Sequence, residues 1–233
     1  KNICGGCRAY AAGGMALQAA FARFCFFISP VSMSIYALKP KFQNLLRPLV
    51  RRLHASGTTA NQVTVFACAI SIVLGITLAC FPAHAALFLL LPLWFFLRMA
   101  LNAMDGMLAR EFGQRTALGG YLNEITDVVA DAALYLPFAF VAPFDALSVG
   151  VFIYLAALTE FCGVLGAVHG NGRRYDGPLG KSDRAFAIGC IAFYYALAGD
   201  LPDWLNTTLW LLNILLAATC VRRIRNGLNR RIP

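Results

Sequence analysis

Residues 102–131 read NAMDGMLAREFGQRTALGGYLNEITDVVAD, and this stretch decides how the rest of the chain is interpreted. Polar and acidic residues flank a short connection here, between apolar runs at approximately 85–108 and 119–142. Each run has about the 20 residues that an α-helix needs to cross the core of a bilayer. The stretch therefore predicts two transmembrane helices that carry charged side chains near one membrane surface.

The composition of the whole chain supports a membrane assignment. Of its 233 residues, 59% are hydrophobic and 13% are charged, whereas charged residues make up about 25% of soluble domains. The formal net charge of +9 does not indicate a nucleic-acid partner, because the basic residues lie between apolar runs rather than on a soluble surface. We expect an all-α integral membrane protein that binds no nucleic acid.

Four further apolar stretches bring the predicted number of transmembrane helices to six. They lie at approximately 61–81, 147–168, 183–199 and 203–222. The connections at 82–84, 143–146 and 200–203 contain no Lys or Arg, and the basic residues fall on or near the other side. By the positive-inside rule, both termini and the second and fourth connections are predicted to be cytoplasmic.

The residues before the first apolar stretch divide into two parts. From Lys39 to His54, apolar and basic residues take opposite sides of a helix, which predicts an amphipathic juxtamembrane helix at the membrane surface. We place this helix in an N-terminal segment over 33–57, before a membrane domain over 58–233. Residues 1–32 show no clear periodicity and are predicted to be a non-native or poorly ordered extension.

Acidic side chains at membrane depth need a physical reason, since each costs about 2.5 to 3.5 kcal/mol on insertion scales. The chain has five of them: Asp105, Glu124, Asp127, Asp131 and Glu160. Four flank the connection that follows residue 108. At about 100° per residue, Asn123, Asp127 and Asp131 share one helix face and Asn102 and Asp105 share another. The two polar faces are predicted to meet across the connection.

Two interpretations of this polar region stay open. Carboxylate and amide oxygens from two helices would suit Mg²⁺, Mn²⁺ or Ca²⁺, and basic side chains on the same membrane face would bind phosphate. Those side chains are Arg110, Arg115, Arg173, Arg174, Lys181 and Arg184. The alternative is a buried polar network that holds helices together. For Glu160, which lies deeper in the fourth stretch, a structural partner on a neighbouring helix is the favoured interpretation.

One pattern within the opening stretch resembles a known signature. Asn102-Ala-Met-Asp105-Gly106-Met-Leu-Ala109-Arg110 is followed by eight residues, then Gly119, Asn123 and Asp127 at spacings of four. This resembles the signature D-x-x-D-G-x-x-A-R, eight residues, G-x-x-x-D-x-x-x-D of the CDP-alcohol phosphotransferase family, with six of its eight fixed positions matched. Residues 58–64, TTANQVT, likewise resemble the family's entry to its first span.

The resemblance implies roles for individual residues. Asp105 and Asp127 would bind Mg²⁺ or Mn²⁺, as one or two ions, and Asp127 would also act as the base toward the acceptor alcohol. A CDP site is implied at Asn61, Gly106, Ala109, Arg110 and Gly119, where the small residues leave room for the substrate. A looser correspondence assigns an acceptor or lipid phosphate to Arg173, Arg174, Lys181 and Arg184.

The chain departs from the signature at two positions, where Asn102 and Asn123 replace aspartates. An amide oxygen can coordinate a hard cation, but it brings no charge. Either the substrate pyrophosphate and additional ligands such as Glu124 and Asp131 compensate, or one metal is weak or missing. Asp131 would serve equally well in a polar contact between helices.

The resemblance implies transfer of a phosphoalcohol group, most simply phosphatidyl, from a CDP-linked lipid such as CDP-diacylglycerol to an acceptor alcohol in a bacterial inner membrane. CMP would be released, and a homodimer among membrane lipids is expected by resemblance alone. Glycerol phosphate, inositol phosphate, serine and other acceptors remain open. The alternatives are a catalytically silent relative that binds nucleotide or lipid, and a small transporter.

Overall fold

The computed structural model describes residues 32–170 and 172–228, with side-chain surroundings from Lys41 onward. The predicted extension over 1–32 lies outside the described residues except for Ser32. Helices dominate the described part, which contains no β-strand. The helices are α1 (Ser32–Ala55), α2 (Ala60–Cys80), α3 (Leu90–Glu111), α4 (Ala117–Tyr135), α5 (Ala146–Val168), α6 (Lys181–Ala198) and α7 (Trp204–Leu228). Short 3₁₀ segments, Ala85–Leu89 and Leu136–Phe140, precede α3 and follow α4.

Helices α2 to α7 correspond to the six predicted stretches, but they differ in how apolar they are. Four segments are long and apolar enough to cross a membrane, judged by length and composition: Ala60–Cys80, Ala85–Glu111, Ala146–Val168 and Trp204–Leu228. Helix α4 carries three acidic residues, and α6 has three charged residues in its first turn. The structure thus supports a helical membrane protein with four such segments, and six spans stay a prediction.

The chain divides into two units between Leu49 and Val50. Helix α1 covers the predicted amphipathic segment, and its placement at a membrane surface stays a prediction. Within the second unit, α2 packs against α3 and α4, α3 packs against α6, and α5 packs against α7. The helices α2 and α4 approach closely at Gly75, where an added Cβ would lie 2.1 Å from the Ala133 carbonyl oxygen.

Two helix starts fix residues that matter for the site. The Thr59 hydroxyl accepts a hydrogen bond from the Gln62 amide, and the Gln62 side chain accepts one from the Thr59 amide. This capping box begins α2 and holds Asn61 in its first turn. At the start of α4 the Thr116 hydroxyl accepts from the Gly119 amide at 2.9 Å. Both caps lie beside the connection between α3 and α4.

The apolar core fills the other end of the bundle. It includes Leu78, Phe88, Leu134 and Tyr195, all buried, and the Phe88 and Tyr195 rings meet edge to face. Aromatic pairs of this geometry add roughly 0.5 to 1.5 kcal/mol beyond the burial of their surface. This packing holds the helices together at the end of the bundle away from the polar α3–α4 connection.

Candidate active site

The polar faces of α3 and α4 meet as their helical spacing predicts. The Asn102 side-chain amide donates a hydrogen bond to Asp127 Oδ1 at 3.2 Å. Asp105, one turn further along α3, is buried and accepts a hydrogen bond of 2.8 Å from the Thr64 hydroxyl. Asp127 lies within electrostatic range of Asp105. The two signature aspartates therefore share one end of the bundle.

The residues predicted to bind CDP surround the same connection. An added Cβ on Gly119 would lie 2.7 Å from Asn61 Oδ1, which places these two residues side by side. An added Cβ on Gly106 would lie 2.9 Å from a terminal nitrogen of Arg110. Ala109, which lies between Gly106 and Arg110 in the sequence, is half-buried. The Asn61 amide and the Arg110 guanidinium thus lie directly against these two glycines.

Asp127 is already engaged by cations in this structure. Arg98 reaches its Oδ1 at 3.1 Å, and Lys181 forms an ion pair with its Oδ2. Arg98 was not predicted as a site residue. The sequence did contain a clue to Arg98, because an arginine within an apolar span requires a buried partner on a neighbouring helix.

Behind Asp127 lies a buried network of ion pairs. Asp131 is bound by Arg98 at 2.5 Å and by Arg184 at 3.1 Å, one arginine on each carboxylate oxygen. Arg184 also contacts Glu160 at 3.1 Å, and Glu160 lies 3.6 Å from Arg223. The structure thus gives Glu160 the structural partners on neighbouring helices that the sequence analysis favoured.

This network changes the expectation for two residues. Arg184 is fully buried, and besides its carboxylate partners it donates a hydrogen bond to the Thr159 hydroxyl at 3.0 Å. A phosphate would have to displace these partners to reach it. Asp131 similarly has both oxygens paired, so its contacts match the polar helix contact more closely than a metal ligand.

The segment 172–180 carries the other predicted phosphate ligands. Arg173 pairs with Glu124 and, at 3.1 Å, with Glu160, while its guanidinium lies over the Tyr175 ring. Arg174 pairs with Asp176 at 2.8 Å. Partial burial acts to raise the pKa of Asp176, but the hydrogen bond and charge of Arg174 hold that pKa below its ordinary value. Both predicted phosphate ligands have carboxylate partners.

The segment 172–180 packs closely against α5 at Gly163. The Arg174 amide donates a hydrogen bond to the Gly163 carbonyl at 3.0 Å. An added Cβ on Gly163 would lie 2.7 Å from the Arg174 carbonyl oxygen, so a larger residue would push the segment away. The segment is thereby held against α5 at Arg174, next to Arg173.

The donor set suits a hard divalent cation. Asp105 and Asp127 place carboxylate oxygens near each other, and the Asn102 side-chain amide lies against Asp127. Asn123 lies one turn before Asp127 on α4. Among the described residues, no group of three or more His, Cys, Asp and Glu side chains forms a metal site. Oxygen ligands of this kind fit Mg²⁺ or Mn²⁺, with amides completing the set.

Comparisons with known proteins place these residues in a family. The sequence model of CDP-alcohol phosphatidyltransferase matches residues 57–221, which contain every residue predicted for the site. The inner membrane protein YnbA of Escherichia coli K12 is 46% identical over 197 residues, which cover 84% of this chain and 97% of that protein. Phosphatidylinositol phosphate synthase of Mycobacteroides abscessus is 27% identical over 197 residues, covering 82% of this chain and 87% of that enzyme.

Solved structures show a similar fold. Phosphatidylinositol phosphate synthase (PgsA1) of Mycobacterium tuberculosis, crystallised with manganese and citrate, gives a TM-score of 0.65 at 20% identity, covering 78% of this chain and 91% of that one. The same enzyme with CDP-DAG bound gives 0.65 at 18% identity, covering 80% and 98%. At these identities the likeness concerns the fold alone. With its sequence match over residues 57–221, the chain belongs to the CDP-alcohol phosphatidyltransferase family.

Proposed function

We propose that this protein transfers a phosphatidyl group from a CDP-alcohol, most simply CDP-diacylglycerol, to the hydroxyl of an acceptor alcohol and releases CMP. The observation that carries the proposal is the meeting of Asp105 and Asp127 at one end of the bundle, within the family's signature. The phosphatidylinositol phosphate synthases among its relatives, one of them crystallised with CDP-DAG, support this choice of donor.

We assign the metal site to Asp105 and Asp127, with amide oxygens of Asn102 and Asn123 as further ligands. When bound, Mg²⁺ or Mn²⁺ would neutralise the pyrophosphate charge and the charge that develops on the leaving CMP. Glu124 and Asp131 were predicted as additional metal ligands, and we assign them instead to ion pairs with arginines beside the metal site. Their carboxylates already neutralise arginines in this structure.

The protein's own residues would perform the remaining steps. Asn61 and Arg110 would bind the CDP moiety beside Gly106, Ala109 and Gly119, whose small size lets a substrate approach the backbone. Asp127 accepts the proton of the acceptor hydroxyl, whose oxygen attacks the β-phosphorus in line. The bond from that phosphorus to the bridging oxygen breaks, and CMP leaves with the oxygen. Positioning of both reactants supplies much of the acceleration.

Lys181 must move for this chemistry to occur. Its ammonium group forms an ion pair with Asp127 Oδ2, and this is the atom that would bind a metal or accept the proton of the acceptor alcohol. The side chain is partly exposed, and its flexible stem would let the charge turn toward a substrate phosphate. We therefore assign Lys181 to a phosphate of the bound donor.

The membrane arrangement is also proposed. The polar helices α4 and α6 would complete six spans, because their charged residues face partners inside the bundle rather than lipid. The basic residues near the α3–α4 and α5–α6 connections favour a cytoplasmic site and cytoplasmic termini in a bacterial inner membrane. YnbA is an inner membrane protein by name, which agrees with this placement. Dimerisation stays a prediction.

The direct test is release of CMP by purified protein that is given CDP-diacylglycerol, Mg²⁺ or Mn²⁺ and a panel of alcohols, with the product identified by its mass. We expect release by the wild type and its loss in Asp105→Ala and Asp127→Ala. Equal release by these variants would contradict the assignment. The exposed variant Asp203→Ala serves as the control.

A catalytically silent relative is the second candidate. The replacement of two carboxylates by Asn102 and Asn123, together with the cations on Asp127, favours it. This candidate predicts binding of CDP-diacylglycerol by calorimetry without turnover under any combination of metal and alcohol. Turnover with any acceptor would eliminate it.

A further inference from the structure

Of the described residues, two cations contact Asp127, and they differ in how firmly they are held. The Arg98 side chain is 5% exposed, whereas the Lys181 side chain is 30% exposed. One terminal nitrogen of the Arg98 guanidinium donates a hydrogen bond to Asp131, and the other donates one to Asp127. Because a guanidinium is planar, two anchored nitrogens fix its orientation. Arg98 is therefore the lasting partner of Asp127, while Lys181 can turn away.

The contacts of Asp127 are divided unequally between its two oxygens. Oδ1 accepts a hydrogen bond of 3.1 Å from Arg98 and one of 3.2 Å from Asn102, which lies one turn further along α3. Oδ2 forms the ion pair with Lys181. Since each carboxylate oxygen offers about two lone-pair sites, the two donors from α3 fill Oδ1. The oxygen that remains for a metal or for the proton of the acceptor alcohol is Oδ2.

Arg98 also fixes the conformation of the Asp127 side chain. The nitrogen that contacts Oδ1 donates to the Asp127 backbone carbonyl oxygen as well, again at 3.1 Å. One donor atom thus joins the carboxylate to its own backbone, which restricts the side-chain torsions and determines the direction of Oδ2. A catalytic group has to be held within about 0.5 Å of its productive position. The double contact with Arg98 supplies this restraint for Asp127.

A second carboxylate holds Arg98 in place. Asp131 accepts a hydrogen bond of 2.5 Å from Arg98 on one oxygen and one of 3.1 Å from Arg184 on the other. Arg184 in turn donates to the Thr159 hydroxyl of α5 at 3.0 Å. The contacts therefore continue from α5 to Asp127 and resist rotation of the Arg98 guanidinium. Partners of this kind orient the ligands of metal sites.

We propose that Arg98 is a positioning residue of the site, which holds Asp127 Oδ1 so that Oδ2 is presented to the metal and to the acceptor hydroxyl. The proposal rests on the proposed phosphatidyl transfer and adds the residue that orients its base. Arg98 lies one turn before Asn102, the first position of the signature, and is therefore not part of that signature. It contacts neither substrate nor metal and acts through Asp127.

Arg98→Lys tests the proposal, because lysine keeps the positive charge but cannot anchor two nitrogens. Purified protein receives CDP-diacylglycerol, Mn²⁺ and an acceptor that supports turnover, and CMP release gives kcat and KM. We expect kcat to fall by about 10- to 100-fold. The KM for CDP-diacylglycerol should change by less than about 3-fold, because the lost restraint acts on the base rather than on donor binding.

Arg223→Lys is the matched control. Arg223 is a similarly buried arginine of the same network, and it lies 3.6 Å from Glu160. Its hydrogen bonds go to the backbone carbonyl oxygens of Asp176 and Thr159. The control therefore disturbs a buried arginine without loosening Asp127, and we expect it to retain kcat. The unfolding temperature of both variants is measured alongside.

Metal affinity gives a second readout that does not depend on turnover. Mn²⁺ is titrated into each protein without substrate and followed by electron paramagnetic resonance. We expect Arg98→Lys to weaken binding by about 10-fold, because a poorly oriented carboxylate is a poorer ligand. Arg98→Gln distinguishes orientation from charge. Removal of a cation would strengthen Mn²⁺ binding if Arg98 acted by its charge alone, whereas loss of orientation weakens it.

The outcomes separate this role from the proposed reaction. Equal effects of Arg98→Lys and Arg223→Lys on kcat and on Mn²⁺ affinity would overturn the proposal and leave phosphatidyl transfer in place. Mn²⁺ binding by Arg98→Gln as tight as that of the wild type, or tighter, would also overturn it. If the wild type releases no CMP with any acceptor, phosphatidyl transfer falls, and the Mn²⁺ titrations alone decide whether Arg98 orients Asp127.

Discussion

Asn102 of α3 donates a hydrogen bond to Asp127 of α4, and this 3.2 Å contact joins the two halves of the signature. An amide at this position supports the carboxylate without repelling it, whereas the aspartate of the family signature would add a negative charge. The contact shows how the chain keeps the geometry of the signature after losing part of its charge.

The first prediction concerns metal affinity. Asn102→Asp would add a carboxylate beside Asp127, and because the affinity of oxygen sites rises with ligand charge, we expect Mn²⁺ to bind about 10-fold more tightly. Titration followed by electron paramagnetic resonance measures free Mn²⁺ directly. Asn44→Asp, at an exposed position of α1 outside the signature, is the control and should not change the affinity. Unchanged or weaker binding by Asn102→Asp would argue against a metal at this position.

The second prediction uses two adjacent glycines. The Cβ of Gly119→Ala would lie 2.7 Å from Asn61 Oδ1, whereas an added Cβ on Gly120 meets nothing within 4 Å. Because small displacements of binding groups are costly, we expect Gly119→Ala to lower kcat/KM for CDP-diacylglycerol by about 10- to 100-fold. The matched variant Gly120→Ala should retain activity. Similar values for both variants would remove Asn61 and Gly119 from the nucleotide site.

The third prediction concerns the buried ion pairs. Asp131→Ala would leave Arg98 and Arg184 without their shared carboxylate, and such a loss typically costs about 3 to 5 kcal/mol. We expect a correspondingly lower free energy of unfolding in detergent. The exposed variant Asp203→Ala should change it by less than about 0.5 kcal/mol. An effect of Asp131→Ala as small as that of the control would show that the network does not stabilise the fold.

The fourth prediction concerns pH at the other end of the molecule. The Ser148 backbone amide and the Asn206 side chain donate hydrogen bonds to Asp145 and hold its pKa below the ordinary value of 3.8. Because the folded pKa is the lower one, the stabilisation is complete above the ordinary value and is lost as pH falls through the folded value. Asp145→Ala should therefore lower the unfolding temperature near neutral pH and lose this effect in acid. A pH-independent difference would contradict this account.

Much of the fold was accessible from the sequence, because apolar length and the alternation of basic connections are strong signals. The predicted stretches 85–108 and 147–168 agree closely with Ala85–Glu111 and Ala146–Val168. Helices α4 and α6 are not among the four segments that are long and apolar enough to cross a membrane. Tertiary partners compensate their charges, and no single stretch of sequence shows those partners. The pairing of Asp131 with Arg98 and Arg184 is one such partnership.

The candidate site could be predicted from the sequence only in part. Helical spacing was enough to predict that the faces of Asn102 and Asp127 would meet. It was not enough to assign the basic residues, because a signature gives their position along the chain but not what they bind. Arg184 lies fully buried and Lys181 contacts Asp127, although both were predicted to bind phosphate for the same reason. Only three-dimensional contacts distinguish the two.

The most direct test of the central claim is the position of Mn²⁺ in a crystal grown with Mn²⁺ and CDP-diacylglycerol, located by anomalous scattering. The account predicts a peak about 2.0 to 2.6 Å from carboxylate oxygens of both Asp105 and Asp127, with Lys181 turned away from Asp127. A peak at any other group, or Mn²⁺ bound by neither carboxylate while the donor occupies its site, would contradict it.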